Sequence, residues 1–342
     1  MGMKILITML YPFAFIYGLI VRFRNILFDK KVLKQQYIPL PSIGVGNLSS
    51  GGTGKSVVID YLITLLKKNY PIVVLSRGYK RKTKGVVVSS SKSTAATIGD
   101  EPYQFLKKHS DISVVVAEKR VLGIQKIKEF SVPNSVILLD DIMQHRYVKP
   151  SLLILTTTYE APFFLDRILP VGSLRESKKG AKRAAVILVT KCPNTLNHIQ
   201  MNHFKEELIL EKHQQLFFTK IQYSNRIVSN SGSQYIDQIS QPFVLVTGIA
   251  DPKPLVEFLK EKALVFEHLS FPDHHIFKPS EIDQIQKLRA KGIVLTTEKD
   301  YTRLSPLMNE SELYYLPITM AFVNSEDQII FDETIQKTIN QF

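Results

Sequence analysis

The feature that most constrains this chain is a glycine-rich turn between two apolar stretches, within residues 41–60. Residues 43–45 predict a short buried strand, and the apolar residues of 58–66 recur at helical spacing. Between them lies Ser49-Ser50-Gly51-Gly52-Thr53-Gly54-Lys55-Ser56. A strand, a glycine loop and a helix that starts near Gly-Lys-Ser are the context of a phosphate-binding loop, where backbone amides face phosphate oxygens.

The residues of this loop have predicted roles in binding a nucleotide and its metal ion. The predicted nucleotide-binding residues are Ser49, Ser50, Gly51, Gly52, Thr53, Gly54, Lys55 and Ser56. Lys55 is expected to reach the β- and γ-phosphates, and Ser56 to offer its hydroxyl to Mg²⁺. Ser49 stands where the general pattern has glycine, so an incidental glycine-rich turn is the alternative interpretation.

Six short apolar runs follow the loop, and helical or polar stretches separate them. The runs are 72–75, 112–117, 136–139, 152–155, 186–189 and 216–221. Strands that alternate with helices predict an α/β fold of the P-loop type, an α/β/α sandwich with a mostly parallel sheet, over residues 36–225. Because ligands of such sheets bind at the carboxyl ends of the strands, functional residues are expected directly after these runs.

Carboxylates stand at two such positions. Asp140 and Asp141 end the run 136–139, and beside a phosphate loop such aspartates predict a Mg²⁺ site, with a helix N-cap as the alternative. Asp100 follows Gly99 at the start of a predicted helix, and its residue type favours an N-cap there. A carboxylate near the γ-phosphate would instead be able to accept the proton of an attacking hydroxyl.

The balance of charge favours an anionic partner. The chain has 44 Lys and Arg against 31 Asp and Glu, a net charge of +13. Such a charge suits nucleic acid, a phosphorylated substrate or an acidic membrane. A basic loop at 76–82 is interpreted either as solvated or as phosphate-binding. A second basic loop, at 169–183, is interpreted either as solvated or as part of one cationic surface toward lipid, together with the first loop and the basic N-terminal cluster. The single cysteine, Cys192, excludes an intrachain disulfide and a thiolate metal cluster, and it fits a reducing compartment.

The N-terminus is apolar and then basic. Residues 5–21 carry no charge, and a cluster of Arg22, Arg24, Lys30, Lys31 and Lys34 follows. The uncharged run is slightly shorter than the roughly 20 residues that cross a bilayer. We therefore predict a membrane-associated helix within residues 1–35 that lies at the surface, with its basic cluster on anionic lipid. A buried helix and a single span are the alternatives.

A second, smaller α/β domain is predicted at 226–324. Polar residues 224–241 precede a strand at 243–248, and further strands are predicted at 264–266, 293–296 and 313–316. Residues 325–342 are predicted to return to the first domain.

In their order along the chain, these motifs resemble one family, the tetraacyldisaccharide 4'-kinases, which phosphorylate the lipid A disaccharide in Gram-negative bacteria. The segments that carry the resemblance are Tyr17-Gly18, Val45-Gly46-Asn47-Leu48, Gly51-Gly52-Thr53-Gly54-Lys55, Leu75-Ser76-Arg77-Gly78-Tyr79, Gly99-Asp100-Glu101-Pro102, Asp140-Asp141 with Gln144-His145, Leu174-Arg175-Glu176, Gly248-Ile249-Ala250, Asp273-His274-His275 and Thr296-Thr297-Glu298-Lys299-Asp300. The family lacks glycine at the first loop position, which accounts for Ser49. Two departures are Ser56-Val57, where the family reads Thr-Pro, and Ile142-Met143, where it reads Gly-Leu.

The resemblance implies an ATP-dependent kinase that uses Mg²⁺ and phosphorylates the 4'-hydroxyl of a lipid A disaccharide 1-phosphate. It implies that a strand-pair hinge joins the smaller domain, which closes over the nucleotide as a lid. The implied roles are catalysis by Asp100, His274 and Lys55, metal binding by Ser56, Asp140 and Asp141, and substrate contacts by Arg77, Glu101, Arg120 and Arg175.

The implied location is the cytoplasmic face of the bacterial inner membrane, as a peripheral or monotopic protein. The membrane surface and the lipid are the expected partners, and neither nucleic acid nor a protein partner is predicted. The alternative function is a membrane-associated P-loop ATPase or GTPase switch. Against a guanine switch, Thr190-Lys191-Cys192-Pro193 lacks the aspartate of the base-reading Asn-Lys-x-Asp. A nucleic-acid-binding ATPase is suggested by charge alone.

Overall fold

The computed structural model of the protein describes residues 2–289, 292–309 and 312–342. The strands are β1 (Gln36–Tyr37), β2 (Ser42–Gly46), β3 (Ile72–Ser76), β4 (Val87–Val88), β5 (Ser113–Val116), β6 (Val136–Asp140), β7 (Val148–Lys149), β8 (Leu152–Thr158), β9 (Val186–Thr190), β10 (Gln215–Tyr223), β11 (Arg226–Ser229), β12 (Gly232–Tyr235), β13 (Phe243–Thr247), β14 (Phe266–Ser270), β15 (Val294–Thr297), β16 (Leu313–Leu316) and β17 (Ile318–Phe322). The α-helices are α1 (Gly2–Asp29), α2 (Lys55–Leu66), α3 (Ala95–Ile98), α4 (Asp100–Lys108), α5 (Arg120–Phe130), α6 (His198–Leu208), α7 (Lys253–Glu261), α8 (Pro279–Leu288), α9 (Glu298–Leu304) and α10 (Ser325–Ile339). Lys178–Arg183 and Ile236–Gln238 form 3₁₀ turns.

Within the described residues, the larger sheet has nine strands in the order β17-β10-β9-β8-β2-β6-β3-β5-β4. The strands from β10 to β5 are parallel, and β17 and β4 are antiparallel edges. Every residue of β2, β3, β6 and β9 is buried, as expected for strands covered on both faces. Helices α2, α4 and α10 pack on one face, and α5 and α6 on the other. The predicted α/β/α sandwich is confirmed.

The order of the strands determines what meets at the carboxyl edge of this sheet. Strand β2, which leads into the glycine loop, lies between β6 and β8, and Val45 pairs with both Asp140 and Ile154. Strand β3, which leads into the basic loop at 76–82, lies on the other side of β6. The glycine loop, the paired aspartates and this basic loop therefore converge at one edge.

The smaller sheet has the order β12-β11-β16-β15-β13-β14 among the described residues. Its strands β14, β13, β15 and β16 are parallel, and α7 packs on one face while α8 and α9 pack on the other. One local prediction was wrong, because β14 begins at Phe266 rather than at residue 264. The polar segment 224–241, for which no strand was predicted, contains the hairpin β11–β12.

The chain passes between the two sheets twice, through the ends of β10 and β17. These two strands pair antiparallel, with Thr219 opposite Phe322 and Tyr223 opposite Ile318. Strand β17 thus belongs to the larger sheet, although its residues fall inside the range 226–324. Helix α10 then lies against α2, where the Tyr61 hydroxyl donates to Asp332 Oδ1 at 2.8 Å.

Helix α1 lies outside both sheets and exposes much of its apolar surface. Its segment Met9–Asp29 is long and apolar enough to cross a membrane by length and composition, and 11% of its most apolar window is buried. The exposed residues include Met9, Phe13, Phe15, Ile16, Leu19, Ile20 and Phe23. Near its end, Arg146 donates to the Asn25 carbonyl at 3.0 Å and to Asp29 Oδ1 at 2.6 Å. The helix is therefore held by polar contacts while its apolar face remains uncovered.

Candidate functional site

The glycine loop has the conformation that a phosphate cradle requires. Gly54 precedes α2 with φ 80°, a left-handed conformation that glycine adopts without strain. Lys55 is the first residue of α2, at the helix end whose first amides have no partner within the helix and can bind an anion. The Lys55 ammonium lies 3.1 Å from Asn47 Oδ1 and 3.5 Å from Asp141 Oδ1. The loop thus places a cation beside one of the two predicted metal-binding aspartates.

Asp140 is a buried carboxylate with unused bonding capacity. The Ser76 hydroxyl donates to its Oδ2 at 2.9 Å, while Oδ1 has no hydrogen-bond partner among the described residues. Burial, together with the nearby charges of Glu101 and Asp141, raises the pKa of Asp140 well above its usual range. A buried carboxylate in this situation is stabilised by a cation at its free oxygen.

The residues around Asp140 fit a Mg²⁺ ion on these grounds. Ser56, the predicted hydroxyl ligand, donates to Glu101 Oε1 at 2.9 Å and so belongs to the same acidic group. Within the part of the chain that the structure describes, no three carboxylates, histidines or cysteines converge to form a protein-only metal site. Mg²⁺ is commonly held by one or two carboxylates and completes its octahedron with water and substrate phosphates, and the free oxygen of Asp140 is such a carboxylate ligand.

The second aspartate, Asp141, has the opposite electrostatic environment. Its carboxylate is gripped by Arg175, with Nη1 2.9 Å from Oδ2 and Nη2 2.8 Å from Oδ1. Burial opposes ionisation, but the hydrogen bonds from Arg175 and the charge of Lys55 outweigh it and hold the pKa of Asp141 far below its usual range. Asp141 has φ 50°, and the next residue, Ile142, is buried with its amide bonded to the Val45 carbonyl at 3.2 Å. The departure at Ile142 is thus accommodated behind the site.

Three more cationic or titratable side chains lie close to the aspartates. Arg120 is buried and donates to the carbonyls of Ala117 at 2.7 Å and Asp140 at 3.2 Å. Burial, and then the nearby charge of Arg120, lowers the pKa of His145 to about 4, so its imidazole is neutral at physiological pH. Arg77 is exposed, and its charge also acts on Arg120 and His145. Arg120 and Arg77 therefore form a cationic margin to the acidic site, and His145 lies there as a neutral ring.

The two sheets meet at Asp100 and His274. His274 Nδ1 lies 3.2 Å from Asp100 Oδ2, and Lys299 lies 3.0 Å from Nε2. A lysine ammonium can only donate, so Nε2 accepts and the imidazole proton is on Nδ1, from which it is donated to Asp100. His275 instead contacts Glu281 Oε2 at 2.8 Å. The structure thus brings together Asp100 and His274, the pair that the resemblance implied.

The N-cap interpretation of Asp100 is wrong. The cap of α4 is Gly99, with φ 94°, and Asp100 is the first helical residue, without a side-chain capping bond. Its carboxylate instead points across to the smaller sheet, where Arg303 binds it through Nε at 3.0 Å and Nη2 at 2.7 Å. Burial opposes ionisation, but the charge of Arg303 and its hydrogen bonds lower the pKa of Asp100 below its usual value.

Residues without predicted roles also shape the site. Asn47 is buried and receives bonds from Lys55 and Arg175 on its side-chain oxygen. Arg303 lies about one helical turn after residues 296–300, one of the segments that carry the family resemblance. Its position next to that segment was the only sign of a role in the sequence. Glu176 is fully buried and receives bonds from Arg183 at 2.8 and 2.9 Å, from Gln144 at 3.1 Å and from Asn25 at 3.0 Å. The basic loop at 169–183 is therefore partly a buried ion cluster.

Comparison with known proteins gives one consistent result. The family model for tetraacyldisaccharide-1-P 4'-kinase matches residues 6–340. A tetraacyldisaccharide 4'-kinase of Flavobacterium johnsoniae is 44% identical over 340 residues, covering 99% of each chain. One of Bacteroides thetaiotaomicron is 42% identical, covering 93% of this chain and 89% of its own.

A solved structure agrees with these relatives. The crystal structure of LpxK from Aquifex aeolicus in complex with ATP has a TM-score of 0.78 to this protein at 30% identity. The match covers 98% of this chain and 99% of that one. By sequence and by fold, the chain belongs to the tetraacyldisaccharide-1-P 4'-kinase family.

Proposed function

We propose that this protein transfers the γ-phosphoryl group of ATP to the 4'-hydroxyl of a tetraacyldisaccharide 1-phosphate, a lipid A precursor, and so forms lipid IVA. Family membership and the activity named for the relatives support the reaction, and the ATP complex of the Aquifex aeolicus structure supports the nucleotide. The reaction is a phosphotransfer to an alcohol, in which catalysis depends mainly on positioning and electrostatic stabilisation.

One observation carries the proposal: the exposed apolar helix α1 is hydrogen-bonded to Arg175 and Glu176, and the side chain of Arg175 binds Asp141 beside the glycine loop. The Tyr17 hydroxyl donates to the Arg175 carbonyl at 2.8 Å, and Asn25 donates to Glu176 Oε2 at 3.0 Å. The side chain of the same Arg175 binds Asp141. A lipid held along α1 would therefore have its polar head beside the phosphate loop, as a kinase with a membrane-borne acceptor requires.

At the nucleotide end, Lys55 and the amides of residues 49–56 hold the phosphates. When the nucleotide binds, the Lys55 ammonium leaves Asn47 and Asp141 and contacts the β- and γ-phosphates. Asp141 stays ionised because Arg175 remains bound to it. Ser56, Asp140 and Asp141 would hold Mg²⁺, which when bound neutralises charge that develops on the phosphate oxygens.

At the acceptor end, the Asp100–His274 pair takes the proton of the 4'-hydroxyl. The sugar oxygen forms the new bond to the γ-phosphorus, the bond to the bridging oxygen breaks, and ADP leaves with that electron pair. The proton goes to Asp100 Oδ1, on which the described residues place no hydrogen bond, while Oδ2 faces His274 Nδ1 at 3.2 Å. Arg77, Arg120 and Arg175 are proposed contacts to the substrate phosphate, and Glu101 to a sugar hydroxyl.

The test is a direct assay with purified protein, ATP and the lipid disaccharide 1-phosphate in detergent. We expect a phosphorylated lipid product that depends on Mg²⁺ and on the lipid acceptor. The Lys55→Ala variant should form little product. ATP hydrolysis without a phosphorylated lipid would overturn the proposal and favour the alternative ATPase switch.

We further propose that the protein works on the cytoplasmic face of the inner membrane, where α1 binds as a peripheral or monotopic anchor. The exposed apolar residues of α1 and the basic cluster between residues 22 and 34, at the end of this helix and just after it, support this location. Replacing exposed Phe13 and Phe15 by serine should reduce co-sedimentation with anionic vesicles. Ile199→Ser, which changes an even more exposed apolar residue on α6, is the control and should bind as the wild type does. Equal binding by both variants would contradict the anchor.

A further inference from the structure

Arg303 contacts both residues of the Asp100–His274 pair that is proposed to take the hydroxyl proton. It comes from α9 beside the smaller sheet, whereas Asp100 begins α4 beside the larger one. Its Nε and Nη2 atoms lie 3.0 and 2.7 Å from Asp100 Oδ2, and Nη2 lies 3.0 Å from His274 Nδ1. A guanidinium can only donate, and His274 Nδ1 carries the imidazole proton, so Arg303 cannot bond to that nitrogen. Its hydrogen bonds therefore go to Asp100.

The guanidinium is itself held in place from behind. Its Nη1 atom donates to Asp300 Oδ1 at 3.0 Å, and Asp300 is fully buried. The other oxygen of Asp300 receives bonds from the Gly248 amide at 2.8 Å and the Thr297 hydroxyl at 2.7 Å. Asp300 is therefore fixed by two loops of the smaller sheet, and it fixes the plane of the guanidinium in turn.

These contacts distinguish between two roles for an arginine in a kinase. An arginine that stabilises transferring phosphate needs donors that point at the phosphate. Here Nε and Nη2 are directed at Asp100 and Nη1 at Asp300, and the side chain is only 10% exposed. This arrangement instead suits an arginine that affects the transfer reaction indirectly, by binding the carboxylate of Asp100.

We propose that Arg303, anchored by Asp300, is a positioning residue that orients the Asp100 carboxylate for the reaction. Every contact it makes to Asp100 ends on Oδ2, the oxygen that also faces His274, so Oδ1 is presented to the acceptor hydroxyl. The inference rests on the proposed function and deepens it. The charge of Arg303 also favours the ionised carboxylate, in keeping with the lowered pKa of Asp100.

The test measures Arg303→Ala, Arg303→Lys and Asp100→Ala in the lipid kinase assay, together with the double variant that combines Arg303→Ala and Asp100→Ala. We expect Arg303→Ala to lower kcat by about 100-fold, within the range of acid–base catalysis, and to leave the KM for ATP within about threefold because it removes no ground-state phosphate contact. Arg303→Lys should recover part of the loss. Added guanidinium should raise the rate of Arg303→Ala but not that of Asp100→Ala.

The double variant gives the sharpest result. If Arg303 acts through Asp100, then Arg303→Ala has little further effect once Asp100 is alanine. A full second loss, or a rise in the KM for ATP that matches the fall in kcat, would assign Arg303 to the phosphate and overturn the inference. Arg289→Ala removes another ion pair near the smaller sheet, with Glu312, and should retain wild-type kinetics.

The outcomes separate the two proposals. A wild-type protein that forms no lipid product overturns the proposed function and this inference with it. A wild type that is active, an Asp100→Ala variant that is inactive and an Arg303→Ala variant that is fully active overturn the inference alone. Thermal unfolding of each variant checks folding. Should Arg303→Ala fail to fold, Arg303→Lys replaces it in the kinetic comparison, both alone and combined with Asp100→Ala.

Discussion

The two ends of helix α4 hold two charged clusters built from similar groups. At the first residue, Asp100 meets Arg303 and His274. At the last residue, Lys108 lies 3.0 Å from Asp60 of α2 and 2.8 Å from Glu298 of α9. Both clusters join a helix of the larger sheet to a helix of the smaller one. Since α9 runs antiparallel to α4, its Arg303 meets the first residue of α4 and its Glu298 meets the last.

The clusters differ in burial and in how their oxygens are used. Asp60 has one oxygen on Lys108 and the other 2.8 Å from His109 Nε2, and the side chain of Glu298 is 8% exposed. Asp100 and His274 are about a fifth exposed, and all the contacts to Asp100 fall on one oxygen. A cluster whose charges are paired with one another and buried serves the fold. A cluster in which one carboxylate oxygen receives no bond from the described residues can serve the reaction.

The largest expected difference between the two ends is in catalysis. Asp100→Ala should lower kcat by about 1,000-fold, within the range of general acid–base effects. Affinity for ATP should stay near that of the wild type, because within the described residues Asp100 is bonded to His274 and Arg303 and to none of the predicted nucleotide-binding residues. Steady-state kinetics and ATP titration measure the two quantities separately. An equal loss of both would move Asp100 from the chemistry to nucleotide binding.

At the other end the same kind of change should affect stability instead. Lys108→Met leaves the buried Asp60 and Glu298 without their shared cation, which should cost about 3 kcal/mol of unfolding free energy. Activity per folded molecule should be retained. Urea unfolding of the full chain gives the stability, and Lys126→Met, in an exposed pair with Glu129, is the control and should cost less than about 0.5 kcal/mol. A variant of Lys108 that lost activity but not stability would erase the distinction.

The sequence predicted the local features of the larger sheet better than it predicted the contacts at either end of α4. Local patterns placed the glycine loop, the parallel strands and the aspartates at 140 and 141, because each depends on residues that are close in the chain. Asp100 and His274 were paired only through the resemblance. Arg303 is 203 positions from Asp100, and Glu298 is 190 positions from Lys108, so neither pairing leaves a periodic or spaced signal. Such contacts are set by how the two sheets pack, which spacing along the chain does not encode.

A third prediction concerns pH and uses Asp60. Burial opposes its ionisation, but the hydrogen bond from His109 and the charge of Lys108 lower the pKa of Asp60 below its ordinary 3.8. A carboxylate with a depressed folded pKa contributes stability above its unfolded pKa, and this contribution is lost as the pH falls through the folded value. Thermal midpoints of the wild type and Asp60→Asn should therefore differ at pH 6 and converge below about pH 3.8. A constant difference across this range would show that Asp60 acts through packing rather than charge.

The smallest effect is expected at Glu298, although it shares Lys108 with Asp60. Burial raises the pKa of Glu298 despite the nearby charge of Lys108, so its ionised form is less well compensated than that of Asp60. Glu298→Gln keeps the shape, and its oxygen can still accept from Lys108, which remains paired with Asp60. We expect a loss of about 1 kcal/mol, typical of weakening one hydrogen-bonded contact, and unchanged kinetics. Urea unfolding beside Lys108→Met measures the ratio. A loss as large as that of Lys108→Met would mean that the contact between α4 and α9, rather than the pair with Asp60, holds this end of the helix.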